Sequence, residues 1–340
     1  MSTMSLESVA AAMVAAGRGI LAADESSGTI KKRFDKIGVE STEETRRAYR
    51  ELLFTTPDMA KCISGVILYD ETLRQKTREG VPFADYLARL GVVPGIKVDA
   101  GAKALASFPN ETITEGLDGL RERLEEYYRL GARFAKWRAV IDIGSGIPTR
   151  YAIEANAQAL ARYAALCQEQ KIVPIVEPEV LMDGRHSLER CEEVTDAVLA
   201  EVFYQLQAAR IRLEGMILKP NMVISGKKCP QRAAPEQVAA ATIRCLKRHV
   251  PGAVPGIAFL SGGQTPAEAA LHLSLMNAAG PLPWQLTFSY GRALQDAALT
   301  AWSGKAAQVV AGQREFSRWA RMNSLARGGR YQAGMESQAA

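Results

Sequence analysis

Lys219 follows the apolar run Met216-Ile217-Leu218 and precedes Pro220, which places its amine at the end of a buried segment where an ammonium is poorly hydrated. Desolvation and neighbouring cations both lower a lysine pKa, and the neutral amine then attacks carbonyl carbon. Other charges punctuate apolar runs in the same way: Asp24-Glu25, Lys97, Lys136 with Arg138, and Glu177 with Glu179. The members of the last two pairs stand two residues apart, a spacing that puts both side chains on one face of a strand. Carboxylates among lysines supply what imine chemistry needs, an acid to expel water and a base to return it. One strand lysine alone is an ordinary solvated edge residue. Several charges at the ends of apolar runs need a common reason, because burying them unpaired is costly. A Lys/Glu ion-pair network that only closes one end of the fold would also serve.

Glycines follow two further segments, in Ser261-Gly262-Gly263 and Ser289-Tyr290-Gly291-Arg292. Exposed backbone amides bind anions, and Thr265-Pro266-Ala267-Glu268 reads as N-cap, N1 proline and N3 glutamate of a helix whose positive end points nearby. Arg292 adds a bidentate donor. Lys31-Lys32-Arg33 offers a second anion site, or simply a solvated basic helix face. Metal chemistry is not suggested, since His186, His249 and His272 show no HxxxH or HxH spacing and the five cysteines contain no CxxC pair. No GxSxG elbow is present to raise a serine nucleophile.

These groups act together only if a scaffold gathers them. Short β-branched or apolar runs recur at Ile20–Ala23, Cys62–Tyr69, Val92–Val98, Phe134–Val140, Ile172–Val176, Gly215–Leu218, Gly256–Leu260 and Leu286–Ser289, with room for a helix between neighbours. Ser41 with Glu44 reads as a capping box before Arg46-Arg47, and Leu117, Leu120, Leu124 and Tyr127 form a 3.6-period stripe ending at Gly131. The alternation predicts a single (β/α)8 TIM barrel over residues 1–340, with extra N- and C-terminal helices. An open doubly wound sheet fits less well, because Ala22 to Gly28 is not a GxGxxG turn. In such a barrel the chemistry lies at the carboxyl ends of the strands, which is where the charges fall. Residues 1–17 are expected as a helix leading into Gly17, and residues 331–340 as a short flexible tail.

A chain that is 47% hydrophobic and 23% charged has a globular profile, which excludes disorder and collagen-like architectures. Its net charge of +5 is spread along the chain, so nucleic acid is not an expected partner. No apolar run approaches the roughly 18 residues of a membrane span, so no membrane partner is expected either. Cys62, Cys167, Cys191, Cys229 and Cys245 are odd in number and widely spaced; they read as reduced thiols, with the cytoplasm as the expected location.

The segments Gly19-Ile20-Leu21-Ala22-Ala23-Asp24-Glu25-Ser26, Gly95-Ile96-Lys97-Val98-Asp99, Ala135-Lys136-Trp137-Arg138, Ile175-Val176-Glu177-Pro178-Glu179, Leu218-Lys219-Pro220-Asn221-Met222, Leu260-Ser261-Gly262-Gly263-Gln264 and Phe288-Ser289-Tyr290-Gly291-Arg292 occur in that order. Together they resemble the class I, Schiff-base fructose-bisphosphate aldolases, and the resemblance runs on to Asn323-Ser324-Leu325-Ala326. It implies a (β/α)8 barrel, a homotetramer, and metal-independent, cofactor-free cleavage of the sugar phosphate fructose 1,6-bisphosphate to dihydroxyacetone phosphate and glyceraldehyde 3-phosphate, in glycolysis and gluconeogenesis. By the same resemblance Lys219 is the Schiff-base lysine, Glu177 its acid and base, and Asp24 the base for the C4 hydroxyl. Lys136 is a supporting cation with Glu179 as its partner. Ser261, Gly262, Gly291 and Arg292 are implied at the C1 phosphate, and Lys97, Thr29, Ser26 and Arg33 at the C6 phosphate, with Arg138 and Arg46 also binding substrate. Thr29 stands where many members have serine. Many eukaryotic members end in a mobile tail whose terminal tyrosine reaches the site, and this chain is expected to lack it.

Overall fold

The computed structural model describes residues 5–338, and its ten strands are β1 (Gly19–Ala23), β2 (Ile63–Leu68), β3 (Val93–Lys97), β4 (Ala102–Ala104), β5 (Thr112–Thr114), β6 (Phe134–Ile141), β7 (Val173–Val180), β8 (Ile217–Leu218), β9 (Gly256–Phe259) and β10 (Gln285–Tyr290). Eight of them close a parallel barrel in the order β1-β2-β3-β6-β7-β8-β9-β10, with helices outside, so the expected (β/α)8 barrel is the fold. β4 and β5 form a separate antiparallel pair after β3. Strands of three residues carry too little pattern to be read from sequence.

The barrel strands depart from the expected bounds by a residue or two at their ends, and by four at the end of β7; for β7 and β8 the reason is local. β7 continues past Val176 through Glu177 and Glu179, because β6 continues alongside it and pairs Arg138 with Glu177 and Val140 with Glu179. β8 is only two residues long. The N–H of Lys219 donates to the Val176 carbonyl at 2.8 Å, but Pro220 has no N–H to offer, and the Asn221 side chain accepts from the Val180 N–H at 3.1 Å in place of the ladder.

Ile20, Ile67, Phe134, Val173, Ile175, Ile217 and Ala258 fill the amino half of the barrel. Phe134 sets its shape: a Cβ on Gly95 would lie 2.2 Å from that ring. The helix Leu6–Met13, capped by Ser5, plugs the amino end with Leu6, Val9, Ala10 and Met13. Val14 lies where a Cβ on Gly256 would approach to 2.4 Å. The carboxyl half is left for polar residues.

The helix Glu43–Phe54 is capped by Thr42, which exchanges hydrogen bonds with Thr45, and not by the expected Ser41–Glu44 box. The carbonyl and hydroxyl of Ser41 accept from Arg46 instead. The expected box at Thr265 and Glu268 forms and starts the helix Pro266–Ala278. Within the stretch expected as a tail, Tyr331 and Glu336 make contacts with the barrel's outer helices. Tyr331 is buried and donates to Glu336 at 2.6 Å, its carbonyl accepts from Ser274, and Arg318 of the helix Val309–Arg327 donates to the Glu336 carbonyl. Residues 339 and 340 lie outside the described residues.

Candidate active site

A cavity of about 480 Å³ opens at the carboxyl end of the barrel. The residues that the resemblance implies for the site line it except Arg46: Asp24, Ser26, Thr29, Arg33, Lys97, Lys136, Arg138, Glu177, Glu179, Lys219, Ser261, Gly262, Gly291 and Arg292. Arg46 faces elsewhere, because Glu71 takes its guanidinium at both ends, at 2.6 and 2.7 Å, which ties two helices together.

The period of two along β7 carries the inward face from Ile175 to Glu177 and Glu179. Glu177 lies between two ammonium groups, 3.2 Å from Lys219 and 3.4 Å from Lys136. Lys136 also reaches Asp24 at 2.8 Å and Asp99 at 3.9 Å, while Lys97 pairs with Asp99 at 3.3 Å. The expected partnership of Lys136 with Glu179 does not form. Glu179 stands further along the strand and is taken by Arg138, and a Cβ on Gly262 would meet its carboxylate at 3.1 Å. Four cations (Lys97, Lys136, Arg138, Lys219) thus face four carboxylates (Asp24, Asp99, Glu177, Glu179), so the inner site is formally neutral and its buried charges are paired.

The electrostatics follow from that arrangement. Burial works to raise the Asp24 carboxyl, but Lys136 and Lys219 outweigh it and hold Asp24 well below the usual carboxylate range. Burial likewise opposes ionisation of Glu177, and again Lys136 and Lys219 prevail and lower it. Burial acts to lower Lys136, yet Asp24, Glu177 and Asp99 raise it. Both carboxylates are therefore ionised and Lys136 charged near neutral pH.

Surplus positive charge collects at the rim. Lys32, Lys36 and Arg292 line the cavity, as does Arg33, whereas Lys31 turns away to Asp35 at 2.9 Å. Ser26 caps the helix Ser27–Asp35, with its hydroxyl 3.1 Å from that of Thr29. Gly291 opens the helix Arg292–Trp302, and Gly263 has φ +77 with Met182 pressed where a side chain would go. These are helix starts and close-approach loops with N–H groups available to an anion.

Sequence reading assigned no role to Asp99, although it stands two residues beyond Lys97, the same-face spacing that drew attention to the other pairs. It also missed how Arg33 is held. Arg33 pairs with buried Glu25 at 2.5 Å, and Glu25 is clamped by Arg50 at 2.5 Å and by Gln295, which donates to it at 3.0 Å. Gln295 is remote in sequence and carries no local signal. Among the described residues no cluster of His, Cys, Asp and Glu could hold a metal ion, and no helix is long and apolar enough to cross a membrane.

A closed parallel barrel with its charged cavity at the carboxyl ends of the strands is the architecture of a (β/α)8-barrel enzyme. The family model for glycolytic class-I fructose-bisphosphate aldolases matches residues 5–340. A "Probable fructose-bisphosphate aldolase class 1" of Xanthomonas campestris is 60% identical over 317 residues, covering 91% of this chain and 95% of that protein. Rat "Fructose-bisphosphate aldolase C" is 52% identical over 337 residues, covering 98% and 93%. The structure of the Plasmodium falciparum aldolase, solved in complex with TRAP and a small-molecule inhibitor, superposes with a TM-score of 0.95 at 51% identity, covering 97% of this chain and 95% of that one. The chain belongs to the class I fructose-bisphosphate aldolase family.

Proposed function

We propose that the chain cleaves fructose 1,6-bisphosphate reversibly to dihydroxyacetone phosphate and glyceraldehyde 3-phosphate through a Schiff base on Lys219. The observation that carries this reading is the Glu177 carboxylate shared between Lys219 and Lys136. Glu177, ionised at rest, takes a proton from the Lys219 ammonium, and the neutral amine adds to the C2 carbonyl. Glu177 returns that proton to the carbinolamine hydroxyl, water leaves, and the product is a protonated imine beside an ionised Glu177. Charge and protons balance over the sequence. Asp24, ionised under the same cations, takes the C4 hydroxyl proton as the C3–C4 bond breaks and its electron pair flows into the imine. Lys136 steadies the reacting hydroxyls, and Glu179 holds Arg138 against the substrate.

An inner site that is formally neutral leaves dianionic phosphates to the rim. Ser261, Gly262, Gly291 and Arg292 take the C1 phosphate through backbone amides, a helix start and a guanidinium. Ser26, Thr29, Arg33 and Lys97 take the C6 phosphate. Family membership supports placing the chain in glycolysis and gluconeogenesis, as a homotetramer in the cytoplasm. Lys219→Met keeps length and loses the nucleophile, so it should reduce cleavage to background, whereas EDTA should leave the parent rate unchanged because the protonated imine is the electron sink. Turnover retained by Lys219→Met, or lost in EDTA and restored by zinc, would contradict the mechanism.

A further inference from the structure

The reaction above gives Asp99 no task, yet its carboxylate is buried between two of the lysines that reaction uses. Its side chain is 3% exposed, with Oδ1 3.3 Å from Lys97 Nζ and Oδ2 3.9 Å from Lys136 Nζ. Backbone donors fix it further: the N–H of Gly101 donates to Oδ1 at 3.2 Å and the N–H of Arg138 to Oδ2 at 3.3 Å. Asp99 therefore bridges the end of β3 to β6.

The β4–β5 pair holds this segment in place. The Ala100 N–H donates to the Glu115 carbonyl at 2.8 Å, and the Thr114 and Thr112 hydroxyls donate to the Arg138 and Val140 carbonyls at 2.7 and 3.0 Å. Arg123 donates to the carbonyls of Val98 and Gly116. Gly116 has φ +124, and a Cβ there would lie 2.8 Å from the Ala100 nitrogen. An added hairpin, a helix arginine and a strand end thus converge on the position of one carboxylate. A buried charge is costly to keep, which makes its placement informative.

We propose that Asp99 is a positioning residue that couples the far-phosphate lysine, Lys97, to the cleavage-site lysine, Lys136. The proposal rests on the reading that Lys97 meets the C6 phosphate and Lys136 the reacting hydroxyls. Asp99 competes with that phosphate for Lys97 and, at the same time, supports Lys136. When a phosphate draws Lys97 away, the carboxylate acts on Lys136 alone, so arrival of the full bisphosphate tightens the group that works at the bond to be broken.

Removing the charge while keeping the shape should move two kinetic constants in ways that general loosening does not. Asp99→Asn should lower KM for fructose 1,6-bisphosphate about tenfold, leave KM for fructose 1-phosphate within about twofold, and lower kcat about tenfold on the bisphosphate but by about threefold or less on the monophosphate, tenfold being the scale of one charge-assisted contact. A bisphosphate KM that is unchanged or raised, an unchanged bisphosphate kcat, or an equal loss of kcat on both substrates would overturn the proposal. Lys97→Ala, measured alongside, separates the two layers. If it raises the bisphosphate KM while Asp99→Asn fails to lower it, the coupling alone is wrong. If Lys97→Ala leaves the bisphosphate KM unchanged, the reading of Lys97 fails and the coupling with it. Should Asp99→Asn not accumulate as folded protein, Asp99→Ser keeps an acceptor for the Gly101 N–H and is judged by the same split.

Discussion

Glu177 works because it touches two cations of different use: Lys219 at 3.2 Å, with which it trades a proton, and Lys136 at 3.4 Å, which keeps it ionised between trades. An amide at this position would still hydrogen-bond but could not carry the proton. Glu177→Gln should therefore slow imine formation with dihydroxyacetone phosphate by about 10² to 10⁴, the usual worth of a general acid–base group, and disturb substrate binding far less. Rapid-mixing measurements trapped with borohydride give that rate; a variant within about threefold of the parent would move the proton to another group. The types and strand-end positions of these residues were legible because a charge at period two inside an apolar run is too costly to keep unless it is paired or put to use. Their pairing was not. Whether Lys136 meets Glu179 or Glu177 depends on the register between β6 and β7, and Arg46 found Glu71 on a neighbouring helix, neither of which leaves a mark in local sequence.

The loop after β9 and the helix Pro266–Ala278 act as one element, and sequence showed half of it. The Thr265–Glu268 capping box was readable from residue types alone, whereas the buried support beneath the loop was not. Gln264 accepts at 2.7 Å from His272 Nδ1, taken as the protonated nitrogen, and the Gln264 N–H donates to the Ser261 carbonyl. Burial of His272 pushes its imidazole down to about 4 from an ordinary value of 6.5. Between those two values the unfolded chain binds a proton that the folded protein refuses, so stability falls as pH drops through that window, by roughly 3 kcal/mol when complete. Denaturant unfolding of the parent and of His272→Gln at pH 7, 5.5 and 4 isolates this contribution, because carboxylates titrate in both. The parent's advantage should shrink by about that amount on going to pH 4; a constant difference would show that His272 is free to charge.

The molecule as a whole is a barrel plugged at one end by Leu6–Met13 and open at the other to the charged cavity, with the last described residues fixed to the outer wall through Tyr331, Glu336 and Arg318. Eight strands at regular intervals made the barrel legible; the docking of residues 331–338 was not, since a short polar stretch reads as loose until its partners on two distant helices are seen. Deleting residues 333–340 removes the Glu336 partner of a buried phenol and should cost about 1–2 kcal/mol, a few degrees in Tm. The ratio of kcat/KM for fructose 1,6-bisphosphate to that for fructose 1-phosphate should stay within about twofold of the parent, because the described part of this segment stands on the wall and not at the mouth. A collapse of that ratio with Tm unchanged would mean that the segment serves the site. The central claim is that Lys219 is the amine that becomes an imine, and the most direct measurement is borohydride reduction in the presence of dihydroxyacetone phosphate followed by peptide mass mapping. The predicted result is a single added mass on the peptide containing Lys219, absent when the ketone is omitted. Label on Lys136, or an unmodified Lys219 in inactivated protein, would contradict it.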